Sequence, residues 1–85
     1  MFKITQSKGF HLSFENGYTV SVQFGRGNYS SNYHLDSMTQ SDTAEFAAWG
    51  PDEDFLEIEG HDVHGYLTAD EVLRLINLVA NLEVN

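Results

Sequence analysis

The feature that most constrains this chain is a pair of alternating runs on either side of Asn16-Gly17. Phe10, Leu12 and Phe14 alternate with His11 and Ser13; beyond the turn, Tyr18, Val20, Val22 and Phe24 alternate with Thr19, Ser21 and Gln23. A period of two places each apolar set on one face of a strand, so the segment predicts a β-hairpin. Asn-Gly is the preferred pair for a two-residue type I′ turn, in which both central residues take positive φ and the turn matches strand twist. That turn sets the register and gathers the aromatic set on one face.

A second constraint comes from the C-terminal end. Thr68 followed three residues later by Glu71 is a capping box, with Leu67 and Val72 at the staple positions, so a helix is expected from Ala69. Val72, Leu75, Ile76, Val79 and Leu82 recur at helical spacing, with Leu73 and Leu78 at the margins. One helix cannot hide such a stripe in water, so it must pack across the inner face of a sheet. Thr43 to Trp49 reads as a further strand, with Ala44, Phe46 and Ala48 on one face and Glu45, Ala47 and Trp49 on the other. After the turn Gly50-Pro51-Asp52-Glu53-Asp54, the run Phe55 to Glu59 is expected to return as its hairpin partner, Leu56 and Ile58 inward, Glu57 and Glu59 outward. Phe2 and Ile4 predict one more short strand before Lys8-Gly9. The fold class is therefore α+β: an antiparallel sheet of three to five strands, built from hairpins and packed against one C-terminal helix.

Eighty-five residues allow a single domain with one modest core. Hydrophobic residues make up 41%, too many for a disordered chain. With no cysteine there is neither a disulfide nor a thiolate ligand, which fits a reducing cytoplasm. No apolar run is long enough for a signal peptide or a membrane span, so neither secretion nor membrane insertion is expected. Four Lys/Arg against thirteen Asp/Glu give a net charge of −9. That charge repels phosphate backbones and anionic membranes, arguing against direct nucleic-acid binding, and suits either simple solvation or docking on a basic protein surface.

Two regions carry the candidate sites. Trp49 adjoins Asp52, Glu53, Asp54, Glu57 and Glu59, an acidic stripe beside an aromatic of the kind that anchors protein interfaces. The stripe is not a calcium loop: counted from Asp52, the sixth position is Glu57 rather than glycine and the twelfth is Val63 rather than glutamate. The long polar segment 25–42 is the other region. Within it Gly25-Arg26-Gly27-Asn28-Tyr29-Ser30, with Tyr33 and His34, could cradle a small anion or nucleotide through backbone amides and the guanidinium, although no helix follows as in a P-loop. His61-Asp62-Val63-His64 has no established zinc spacing and reads as a polar strand-to-helix connection. No nucleophile elbow or linked Ser/His/Asp motif is present, so no catalytic residue, metal or cofactor is assigned and an enzyme is not expected.

Lys8 to Leu12, Thr19 to Phe24 with Gly25-x-Gly27-Asn28-Tyr29, Thr43-Ala44-Glu45 and the helix start Gly65-Tyr66-Leu67-Thr68-x-x-Glu71-Val72 together resemble small bacteriophage and prophage proteins of uncharacterised activity. The resemblance spans most of the chain and brings no catalytic residues. It implies a phage accessory role, such as binding and inhibiting a host or defence protein. The alternatives are the small-anion or nucleotide binder and a structural, oligomer-forming protein. Because the sheet cannot close into a barrel, an edge must stay open; the strand Thr43 to Ala48 carries little charge, so a two-fold homodimer through it is expected, the alternative being a monomer kept apart by the −9 charge on each copy.

Overall fold

The computed structural model describes residues 1–5, 9–24 and 41–83. They form β1 (Phe2–Thr5), β2 (Gly9–Ser13), β3 (Thr19–Gln23), β4 (Ala44–Trp49), β5 (Val63–Leu67) and α1 (Ala69–Ala80). The strands pair in chain order as one antiparallel five-stranded sheet. The helix packs on one face of it, over β3, β4 and β5. This is the α+β architecture that the periodicities predict.

Burial follows the alternation. Val20 and Val22 of β3 and Ala44, Phe46 and Ala48 of β4 meet Val72, Leu75 and Val79 of α1, and Phe46, Leu75, Val20 and Val79 are the largest side chains fully withdrawn from water. Phe10, Leu12, Phe14 and Tyr18 pack around this cluster, half-buried. The α1 capping box forms as expected: Thr68 Oγ1 accepts from the Glu71 N–H at 3.3 Å, and Glu71 Oε1 accepts from the Thr68 N–H at 3.0 Å.

The first turn differs from the expected two-residue form. Phe14 and Tyr18 close a three-residue loop; the Phe14 carbonyl accepts from the Gly17 N–H at 3.0 Å, and Gly17 alone of the Asn-Gly pair has a positive φ, +88°. This is a type I turn followed by a glycine bulge. The reason is register. The observed loop sets Phe10 opposite Val22 and Leu12 opposite Val20, whereas a two-residue loop would shift the pairing by one and place apolar side chains opposite Ser21 and Gln23.

The expected strand from Phe55 to Glu59 is also corrected. Among the described residues, the backbone of 55–58 pairs with the sheet at the Trp49–Phe55 bridge and the Leu56 N–H to Ala48 carbonyl bond of 2.8 Å, while the side chains of Ile58 (buried) and Leu56 (half-buried) pack into the core. The chain then reverses at Glu59-Gly60. Ile58 and His61 exchange both backbone bonds (3.0 and 3.1 Å), and Glu59 and Gly60 both have positive φ (+52° and +88°). The primed turn thus occurs here, not at Asn16-Gly17. It delivers Val63 to Leu67 as the partner of β4, so residues expected to be a loop, Val63 and His64, begin β5. β5 carries one residue more than β4 between the Phe46–His64 and Ala44–Leu67 pairs, a bulge with Tyr66 at φ +56°. With β3 on one side and β5 on the other, β4 is an interior strand, and the expected dimer edge at Thr43 to Ala48 does not exist.

Asn16 ties the first turn to the helix. Its Oδ1 accepts from the Tyr18 N–H at 3.0 Å, while Nδ2 donates to the carbonyls of Val79 (2.9 Å), Leu82 (3.0 Å) and Ala80 (3.3 Å). Helix C-termini leave carbonyls without partners, and the last turn of α1 has no basic residue to meet them. An amide has both the acceptor and the donors this position needs; a carboxylate lacks the donors. Asn16→Ala should therefore lower unfolding free energy by about 1–3 kcal/mol, with Asn16→Asp at least as damaging, measured by urea denaturation at neutral pH. Glu71 is held below its ordinary pKa of 4.5, chiefly by the Thr68 N–H and then by its hydroxyl. A depressed carboxylate contributes stability above its unfolded pKa and loses it as pH falls through the folded value. The stability difference between the wild type and Glu71→Gln should thus be constant above about pH 4.5 and vanish progressively below it, as denaturation curves in acid will show.

Candidate partner-docking surface

The sheet face away from α1 carries a row across all five strands: Lys3, His11, Ser21, Ala47 and Val63. Small residues fill its middle. Ser21 and Ala47 are buried there, and Ser21 Oγ accepts from Gln23 Nε2 at 3.1 Å. Aromatic rings stand over one end. The Trp49 ring lies edge-on to His11, centroids 5.0 Å apart, and edge-on to Phe55 at 6.1 Å. Phe55 is 57% exposed and Trp49 is half-buried, so a large apolar surface is presented rather than withdrawn. The His11 imidazole is held below its usual pKa, first by burial and second by the charge of Lys3, its cross-strand neighbour.

Beside these rings the chain turns through Gly50-Pro51-Asp52-Glu53-Asp54 with the same bonding as the first turn. The Gly50 carbonyl accepts from the Glu53 N–H at 2.9 Å, the Gly50 N–H donates to Asp54 O at 3.1 Å, and Asp52 Oδ1 accepts from the Asp54 N–H at 3.2 Å. Here Glu53, not glycine, takes the left-handed position, at φ +67°. The two turns lie side by side: a Cβ on Gly17 would stand 2.7 Å from Pro51 Cγ, and one on Gly50 would stand 3.5 Å from the Tyr18 ring. Glu15, Asp52, Glu53 and Asp54, all exposed, therefore share one end of the sheet. The C-terminus of α1 sits at that end too, through Asn16, and its dipole adds to the negative potential.

Of the acids expected in one stripe, Asp52, Glu53 and Asp54 gather beside Trp49 in this way. Glu57 is exposed between Leu56 and Ile58. Glu59 is drawn elsewhere: Arg74 of α1 donates to both its carboxylate oxygens, at 2.9 and 3.1 Å, and this pairing holds the Glu59 carboxyl below its ordinary pKa. Phe55, His11 and Glu15 join the surface without having been singled out in the sequence. Arg26, Gly27, Asn28, Tyr29, Tyr33 and His34 lie outside the described residues. At His61-Asp62-Val63-His64 the two imidazoles stack edge-on, centroids 5.8 Å apart. Among the described residues no group of three or more His, Asp or Glu is placed to hold a metal ion, and no helix is long and apolar enough to cross a membrane. No family model, curated protein or solved structure matches this chain.

The strained position at Glu53 is a testable feature of this surface. Glycine takes left-handed φ without steric cost, whereas another residue held there costs of order 1–3 kcal/mol. After the entropy that glycine loses on folding is set against that, Glu53→Gly should raise unfolding free energy by about 0.5–1 kcal/mol, read as an upward shift of the denaturation midpoint.

Proposed function

We propose that this chain is a small acidic accessory protein of the phage type, acting in the cytoplasm by docking on a host or phage protein with a basic surface. The contact surface in this reading is Trp49 with Phe55 and His11, rimmed by Glu15, Asp52, Glu53 and Asp54. One observation carries it: two adjacent turns concentrate carboxylates beside an aromatic cluster whose Phe55 is exposed and whose Trp49 and His11 are half-buried, at the end where the helix dipole is also negative. Electrostatic complementarity of this kind steers encounter, while the aromatic centre supplies the desolvated anchor. The geometry of Glu53 supports the same reading. Its carboxylate has no partner among the described residues and occupies a backbone position that glycine would fill more cheaply, so stability is given up to hold a charge in solvent. The phage assignment itself rests on the sequence resemblance.

The reading predicts that a protein captured from bacterial lysate on the wild-type chain is released as salt rises. Exposed charge pairs contribute about 0.2–1 kcal/mol each, so the combined Glu15→Gln, Asp52→Asn, Glu53→Gln and Asp54→Asn variant should bind roughly four- to several-hundredfold more weakly and lose most of its salt dependence. Phe55→Ala should weaken binding while leaving the salt dependence intact. Titration calorimetry on the captured partner checks both; binding that ignores salt and survives the neutralisation overturns the electrostatic mechanism.

A further inference from the structure

Among the described residues the sheet order leaves β1 and β5 as edges, and they differ. β5 is irregular: Gly65, the left-handed Tyr66 and the extra residue bend it, a common protection against strand addition. β1 has no such device in its backbone. Met1 and Ser13 exchange both backbone bonds, at 3.0 and 3.1 Å. By the alternation of antiparallel ladders, Lys3 and Thr5 then turn their amides toward β2, and Phe2 and Ile4 turn theirs outward. The same two residues place their side chains on the helix side of the sheet, beyond the strands that α1 covers. Phe2 and Ile4 are 75% and 78% exposed, and the Phe2 ring lies 6.3 Å from that of Phe10, continuing the apolar surface of β2 to the edge.

From this we propose that β1 is a self-association edge, at which two copies pair antiparallel about a two-fold axis with Phe2 of each copy opposite Ile4 of the other. This register uses every outward amide and carbonyl of both residues and joins the two exposed apolar strips into one. Charge selects a second copy as the occupant. In a chain of net charge −9, β1 contains no carboxylate, so copies approach here without opposing acids. The register also sets Lys3 opposite Lys3 of the other copy on the far face, a like-charge contact that weakens the pair. A four-residue strand is moreover far short of the 20–30 residues a side of stable interfaces, so the dimer is weak and reversible. The association is independent of the acidic surface proposed for partner docking, which lies around Trp49.

Sedimentation equilibrium from about 10 µM to about 1 mM, at low and high salt, tests the proposal. The wild type is expected to be monomeric at the dilute end and to dimerise at the concentrated end, more strongly at high salt. Lys3→Thr removes the like-charge contact and is expected to tighten the dimer roughly two- to fivefold, a gain that a misfolded variant could not produce. Ile4→Lys, at a position exposed in the monomer, is expected to abolish it while leaving the circular dichroism spectrum unchanged. Wild type and Lys3→Thr both monomeric at 1 mM scale concentrations would overturn the proposal. A dimer that survives Ile4→Lys, or one that Lys3→Thr leaves unchanged, would equally overturn this pairing.

Discussion

One helix has to cover a sheet wider than itself. An α-helix with its side chains is about 10 Å across, whereas five strands about 4.8 Å apart span about 19 Å. The helix therefore covers one side of the sheet, over β3, β4 and β5, and the core sits there: Val20, Val22, Ala44, Phe46 and Ala48 beneath Val72, Leu75 and Val79. Ala44 and Ala48 of β4 are small, and Phe46 between them is the largest side chain fully buried between the layers. Toward β2 the cover thins to half-burial, and at β1 it ends. The exposure of Phe2 and Ile4 is thus a geometric consequence of having one twelve-residue helix among the described residues, not a defect in the alternation of those strands.

The turns show how local cost is traded for long-range connection. In the first, Gly17 accepts the left-handed conformation and leaves Asn16 free to reach the end of α1, so the hairpin doubles as the helix C-cap. At Glu59-Gly60 a non-glycine residue accepts that conformation, and its carboxylate is engaged by the Arg74 fork, joining the turn to the helix from the opposite side. Glu53 adopts the same backbone without such a partner among the described residues. The difference separates a charge used inside the fold from one presented outward, and it explains why the acidic stripe seen along the sequence divides in space.

Much of this was legible in the residues. The capping box at Thr68 and Glu71, the stripe from Val72 to Val79 and the faces of β2, β3 and β4 all follow from spacings within one element, where side-chain direction is fixed by backbone geometry. At the first turn Asn-Gly favours the two-residue form, but the apolar pairing of Phe10 with Val22 and Leu12 with Val20 outweighs that preference. The strand that returns along β4 lies later than the expected Phe55 to Glu59. Leu56 and Ile58 do point inward, but the Glu59-Gly60 turn lacks the Asn-Gly or Asp-Gly signature, so Val63 to Leu67 did not read as a strand.

By itself the sequence determined the class of fold, the start and N-cap of the helix, the inward-facing residues of β2, β3, β4 and α1 and the strongly negative charge, because each depends on neighbours a few positions apart or on composition alone. Tertiary structure decided the rest. Gly17 meets Pro51, Asn16 meets Val79, His11 meets Trp49 and Glu59 meets Arg74 only once the sheet order and register exist. These contacts join residues whose separation along the chain carries no periodic signal. They arise from the packing of one element against another, and that packing determines which acids stand beside Trp49 and which edge of the sheet stays open.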